Sequence, residues 1–314
     1  MSPQLNKILD IEYPIIMAPM FLVSDVNMVI SALNSGITAA IPALNYRTIL
    51  ELRTAIQTIK KTSDKAFGIN LIANQSNILL HKQLEVCCEE KIAFVITSLG
   101  KPEQIINKCK PLGIKVFCDV TDVFYAKKVE LLGADAIIAV GSEAGGHSGL
   151  LDSEFLIKEL QKEIQIPIIS AGGIGNRSQY LKRIQMGIAG VSIGSIFIAS
   201  TESPVNDLYK NACIQYGEKD IVMTDKLSGT PCTVINTPFV QKWNKKSSLF
   251  VQFWKKNKRF KKIAKIILFK IGLKKLYQSA FNNSLEQVWC AGKSIEEVRE
   301  IKSIKEIVNS LVRE

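Results

Sequence analysis

Histidine is nearly absent from this chain, with only His81 and His147 in 314 residues. The seven cysteines (Cys87, Cys88, Cys109, Cys118, Cys213, Cys232 and Cys290) are odd in number and scattered, and none is set in a CxxC pair. That spacing excludes the common zinc and redox-dithiol motifs, so no metal site is expected and the thiols read as reduced, in a cytoplasmic protein. Residues Met1 to Glu12 lack the basic and continuous apolar regions of a secretory signal. The most apolar late stretch, Ile263 to Leu276, is cut by Lys265, Lys270, Lys274 and Lys275. It falls short of the roughly 20 apolar residues a bilayer span needs, so no transmembrane segment is expected. Acidic residues are missing between Lys226 and Glu286, and 13 lysines and arginines fall between Lys242 and Lys275. Without that segment, 27 basic residues face 29 acidic ones, so the formal charge of +11 belongs to one stretch. Neither the dinucleotide fingerprint GxGxxG nor the P-loop GxxxxGK[ST] occurs.

What the chain does contain is core. It is 47% hydrophobic and 22% charged, which excludes general disorder. The first two-thirds alternate short apolar runs with amphipathic stretches. Strands are predicted at Ile15 to Met17, Thr38 to Ile41, Ala66 to Leu71, Ala93 to Thr97, Lys115 to Cys118, Ala136 to Val140, Pro167 to Ser170 and Gly190 to Ile193. Helices are predicted between them, as at Arg47 to Lys60, Ile78 to Lys91, Lys101 to Lys110, Val123 to Leu132 and Ser178 to Met186. Strands this apolar imply a parallel sheet covered by helices. Gly36, Gly113 and Gly133 each end a helix shortly before a strand. About eight such units predict an α/β fold, a (β/α)8 TIM barrel, with an open doubly wound sheet as the alternative. After residue 204 the alternation stops. We expect a barrel over 1–204, a smaller basic helical lobe over 205–285 inserted late in the chain, and a return to the barrel over 286–314. The helix-like pattern Ser294 to Val312 is a candidate for the barrel's last helix.

In such a barrel the loops after the strands form the active face. Met17-Ala18-Pro19-Met20 offers a proline-fixed turn and a soft apolar surface for a planar ring, or a packed strand end. In Gly68-Ile69-Asn70 the amide can donate and accept at a heteroaromatic edge, or serve an ordinary turn. Ser170-Ala171-Gly172-Gly173-Ile174-Gly175 and Gly194-Ser195 expose backbone N–H groups suited to a phosphate, and the missing dinucleotide fingerprint favours a mononucleotide. The run Gly141 to Gly149, reading GSEAGGHSG, places His147 in a glycine-rich turn after an apolar strand, a setting for proton transfer near neutral pH. Glu143 reads as an alternative acid/base or as a cap of the next element. His81, in a helical pattern, reads as a bystander.

Together these motifs, with Glu202-Ser203 and the later Val288-Trp289-Cys290-Ala291-Gly292, resemble the nitronate monooxygenase family over about residues 5 to 205 and again near the C-terminus. The resemblance implies an FMN-binding barrel under a helical lobe. It implies Ala18, Pro19 and Met20 along the flavin ring, Asn70 at its edge, and Gly172, Gly173, Gly194 and Ser195 on its phosphate. His147 is implied to face a nitronate substrate, with O2 as oxidant, in a loop whose Glu143, Ala144, Gly145 and Gly146 lie on the substrate side. An imidazolium there would stabilise the nitronate, whereas a neutral imidazole would take the α-proton of a nitroalkane. The chain departs from the family at Asp119, where many members carry lysine, at Lys293 in place of glutamine, and at Ser228 to Thr233, which lack the usual arginines. A second reading is an FMN-dependent enoyl-acyl carrier protein reductase using NAD(P)H, with the segment Lys242 to Lys275 steering an acidic partner. A third is a barrel that associates with anionic surfaces through the amphipathic pattern Lys258 to Ile267. No nucleic-acid partner is expected.

Overall fold

The structure, a computed structural model, describes residues 4–74, 77–227, 230–245, 271–282 and 287–313. Eight parallel strands close into a barrel: β1 (Ile15–Met17), β2 (Thr38–Pro42), β3 (Gly68–Ile72), β4 (Phe94–Ser98), β5 (Lys115–Val120), β6 (Ala136–Val140), β7 (Ile168–Ala171) and β8 (Gly190–Ile193). β1 pairs with both β2 and β8, which settles the barrel against the open sheet.

Strand alternation sorts the side chains into two layers. Ile16, Ala40, Phe94, Ile96, Phe117, Ile138 and Ile169 fill the interior, where Phe94 and Phe117 stack at 5.1 Å. Gly68 makes room for that stack, because a Cβ there would lie 2.3 Å from the Phe94 ring. The short helix α1 (Leu5–Leu9) plugs the bottom, with Leu5 N–H donating to the Ala189 carbonyl at 2.8 Å. Residues of opposite parity, such as Ile15, Ile69, Val95 and Ile137, face the surrounding helices.

Those helices are α2 (Val26–Asn34), α3 (Ile49–Thr62), α4 (Leu80–Glu89), α5 (Glu103–Cys109), α6 (Val123–Leu131), α7 (Ser153–Glu163) and α8 (Arg177–Gln185). Their starts are written in side chains: Thr48 with Glu51, and Asn176 with Gln179, close reciprocal capping boxes. Gly36, Gly113 and Gly133 follow α2, α5 and α6 with φ of 83°, 74° and 91°, as the sequence pattern anticipates.

Beyond β8 the chain forms α9 (Asp207–Gln215), an antiparallel hairpin of β9 (Ile221–Thr224) and β10 (Cys232–Ile235), α10 (Pro238–Lys245) and helical residues 271–281. The late lobe is therefore not purely helical, as the sequence reading had it. The predicted helix Ser294 to Val312 also divides, into a 3-10 turn at Lys293–Glu297 and α11 (Ile304–Val312). The division has a cause: Gly292 and Lys293 donate to Ser195 and Glu143, which ties the first part to the strand ends, and Ser303 opens α11 with its own capping box. α11 then packs between α8 and α2, completing the outer ring. Most of the lysine-rich segment, including Lys258 to Ile267 on which the anionic-surface reading rests, and Ser228 and Gly229 lie outside the described residues. No helix among the described residues is long and apolar enough to cross a membrane, and no group of three or more metal-type ligands occurs among them.

Candidate active site

The C-terminal ends of the strands open into a cavity of about 440 Å³, a size suited to a small ligand. Every residue singled out for a site lines it: Ala18, Pro19, Met20, Asn70, Gly172, Gly173, Gly194, Ser195, His147 and the loop residues Glu143 to Gly146. His81 lies elsewhere, exposed on α4 and 3.0 Å from Glu85. The lobe contributes apolar cover through Leu227, Leu273 and Leu276.

One end of the cavity is built from backbone. Gly172 and Gly173 adopt φ of 105° and 71°, and a Cβ on Gly172 would lie 2.7 Å from the Ala144 nitrogen. Only glycine fits that conformation at that distance. Gly194 is different. A Cβ there would meet Met20 Sδ at 3.4 Å and Ala18 Cβ at 3.5 Å, ordinary contacts, so what its absence keeps open is cavity. The amides of Gly172, Gly173, Gly194 and Ser195 donate to no acceptor among the described residues. With the N-terminus of α8 just beyond, these donors fit a phosphate. The Ser195 hydroxyl oxygen accepts the Gly292 amide at 2.8 Å and keeps its proton to donate. No lysine or arginine lines the cavity among the described residues. The buried Arg183 sits behind Gly173, bound to Glu154 at 3.0 Å.

The turn after β1 is drawn tight by Ser24, whose hydroxyl donates to the Ala18 carbonyl and accepts the Met20 amide. Asn70 behaves differently from a two-way donor and acceptor. Its amide hydrogens go to the Ile96 carbonyl at 3.2 Å and Ser98 Oγ at 2.7 Å, which leaves Oδ1 as its acceptor. Ser98 in turn donates to Asp119 Oδ2 at 2.5 Å. Burial pushes the Asp119 carboxyl up to about 6, with the Ser98 bond opposing the shift. Tyr125 on α6 also lines the cavity and donates to the Gly100 carbonyl; burial, then the nearby Cys118 and Asp119, raise its pKa. Ser98 and Tyr125 escaped the sequence reading because a lone serine at a strand end and a lone helical tyrosine carry no pattern.

The His147 loop is clamped from the lobe. Thr233 on β10 donates its hydroxyl to the Ala144 carbonyl at 2.7 Å and its amide to the Gly146 carbonyl at 2.8 Å. His147 is half-buried, and burial lowers its pKa below the usual 6.5. A neutral imidazole accepts protons. Glu143 takes the second of its two anticipated roles: its carboxylate accepts Ser153 Oγ at 2.7 Å and Ser153 N–H at 3.2 Å, holding the start of α7 beside the cap Asp152. All seven thiols are free, and Cys232 and Cys290 both line the cavity.

Comparison with known proteins gives this arrangement relatives. The family model described as nitronate monooxygenase matches residues 73–314. A Rhodococcus jostii protein named (3aS,4S,5R,7aS)-5-hydroxy-7a-methyl-1-oxo-octahydro-1H-indene-4-carboxyl-CoA dehydrogenase is 30% identical over 236 residues, 75% of this chain and 66% of that one. The chain thus spans about two thirds of that relative's length. A probable nitronate monooxygenase of Staphylococcus aureus (strain Newman) is 29% identical over 289 residues, covering 76% of this chain and 79% of that one. Among solved structures, FabK from Thermotoga maritima superposes with a TM-score of 0.86 at 28% identity, covering 99% of this chain and 95% of that one. A nitroalkane oxidase from Streptomyces ansochromogenes, 20% identical over 98% of this chain and 96% of its own, shares the fold with a TM-score of 0.78.

Proposed function

We propose, from the premise that this chain belongs to the nitronate monooxygenase family and is an oxidoreductase of it, that it binds FMN and oxidises alkyl nitro compounds with O2, with His147 as the base. The observation that carries the reading is a neutral imidazole, on a clamped loop, lining the same cavity as a set of unengaged glycine amides. The amides of Gly172, Gly173, Gly194 and Ser195 would hold the phosphate, and Ala18, Pro19 and Met20 would lie along the ring. Asn70 Oδ1 would accept from a ring N–H. FMN, when bound, supplies the two-electron acceptor and passes the electrons to O2.

The protein's own share is positioning and proton control. His147, neutral at pH 7, takes the α-proton of a nitroalkane and yields the nitronate in place. This favours the base role over the imidazolium role that the loop sequence left open. Leu227, Leu273 and Leu276 exclude water from the substrate side. The test is oxygen uptake by the purified protein with nitroethane, alongside release of FMN on denaturation. Uptake with nitroethane that disappears in His147→Ala, while FMN is retained, is the expected result. A colourless protein, or turnover only with a nicotinamide, would overturn it.

A second reading is favoured by the apolar walls and by the relatives named as an indene-carboxyl-CoA dehydrogenase: reduction of an enoyl thioester, on acyl carrier protein, using NAD(P)H. There His147 would serve as a proton donor to the product carbon. Reduction of the flavin by NADH and not by nitroethane would establish it in place of the first.

A further inference from the structure

We infer that Cys232 and Cys290 form a redox-reactive thiol pair in the cavity wall, which hydrogen peroxide converts to an intramolecular disulfide fastening the lobe hairpin to the returning C-terminal segment. Of the seven thiols, these two line the cavity. The backbone brings them together. Ile235 N–H on β10 donates to the Trp289 carbonyl at 2.9 Å, and Thr237 Oγ1 donates to the Gln287 carbonyl at 2.7 Å, so residues 287–289 run antiparallel to 235–237. That alignment carries Cys290 past β10, and the two thiols meet in a hydrogen bond within the small cluster of Leu227, Val234, Val240 and Val288. Both sides are anchored. Thr233, next to Cys232, is held by the Ala144 and Gly146 carbonyls; the Cys290 carbonyl accepts the Tyr209 hydroxyl, and the Gly292 amide donates to Ser195 Oγ. A disulfide needs sulfurs about 2.05 Å apart on Cβ atoms roughly 3.5–4.5 Å apart, so thiols already in contact need only a short approach.

The hydrogen bond to Cys232, and then burial, make Cys290 hold its proton, which leaves Cys232 as the attacking sulfur. It breaks the peroxide O–O bond and forms an S–O bond, and the other oxygen leaves as hydroxide and takes the Cys232 proton as water. The Cys290 sulfur then displaces the oxygen from Cys232. The S–S bond forms, and the Cys290 proton leaves with that oxygen as a second water. Two thiols give up two electrons in all, and one peroxide takes them. Cys88 on α4 and Cys109 on α5 also hydrogen-bond to each other, but neither lines the cavity, which makes them an internal comparison. The pair is the same under either substrate reading.

Peptide mapping tests the pair directly. The reduced, purified protein is exposed to hydrogen peroxide, its remaining thiols are alkylated, and a non-reducing digest is read by mass spectrometry. The expected map joins the Cys232 peptide to the Cys290 peptide, lighter by two hydrogens, and dithiothreitol restores both thiols. Cys232→Ser or Cys290→Ser should abolish the link, whereas Cys88→Ser should leave it. The crosslink encloses Leu273 and Leu276, which cover the cavity, so the oxidised wild type should unfold at a higher temperature than the reduced form. Cys232→Ser should show no such rise. Full alkylation of Cys232 and Cys290 after peroxide, the behaviour of thiols that serve only as apolar filling, overturns the inference. A map containing only the Cys88–Cys109 link does so too, as does irreversible oxidation of Cys232 beside an alkylated Cys290. An unchanged unfolding temperature in linked protein would contradict the fastening. If the serine variants fail to fold, the wild-type map alone decides. A colourless protein inert to nitroethane would sink the FMN reading and leave the map standing.

Discussion

Burial lowers the pKa of His147, which sets the direction of its pH dependence. Replacement by alanine should retain FMN and lower kcat by about 100-fold or more, the scale of a lost general base. Because burial lowers its pKa from 6.5, the acid limb of the kcat/KM profile should lie below pH 6.5, with activity level above it. A limb above that value would contradict a neutral histidine. At Asp119 the sign is opposite. Its carboxyl titrates at about 6 in the fold against 3.8 for the free group, so ionisation penalises the folded state. The contribution is most favourable below the unfolded value and is lost as pH rises through about 6. Asp119→Asn should thus be more stable than the wild type at about pH 8, by up to about 3 kcal/mol, and the advantage should vanish near about pH 4. Urea titrations at the two pH values check it.

At the scale of elements, the site depends on a hairpin reaching back to a barrel loop. Thr233→Val keeps the shape of the side chain and removes the donor to Ala144, which should cost about 1–2 kcal/mol and raise KM more than it lowers stability alone would explain. The eight barrel strands were legible in the sequence because each is an apolar, β-branched run, several preceded by a glycine-ended helix. The cavity loops were legible for the same reason, since the barrel places whatever follows a strand at one end. Other features were not. The hairpin strands Ile221–Thr224 and Cys232–Ile235 are four residues each and gain their meaning from partners such as Gly146, far away in sequence. The donor use of Asn70 depends on Ser98, 28 residues on, and the capping role of Glu143 depends on where α7 begins. Ser294 to Val312 carries a helical pattern throughout, yet the ties of Gly292 and Lys293 to the strand ends restrict the α-helix to its second half.

For the whole molecule, closing eight strands into a barrel brings together residues from Ala18 to Ser294 around one cavity with a chemically mixed lining. Amides and glycines form one part of its lining, and carboxylate, amide oxygen and imidazole form another. Gly172→Val tests the first part as a unit: the φ of 105° and the 2.7 Å approach to Ala144 leave no room for a side chain, so FMN occupancy should be lost. Loss of cofactor should be read from the absorption of the purified variant, with circular dichroism confirming that the barrel persists. The account as a whole joins a flavin to a proton acceptor on one substrate. Anaerobic stopped-flow mixing of the yellow protein with nitroethane, without nicotinamide, tests that union most directly. Bleaching of the flavin band, slowed by about 100-fold or more in His147→Ala and reversed by O2, is the predicted result. A band that bleaches with NADH and stays unchanged with nitroethane would contradict it.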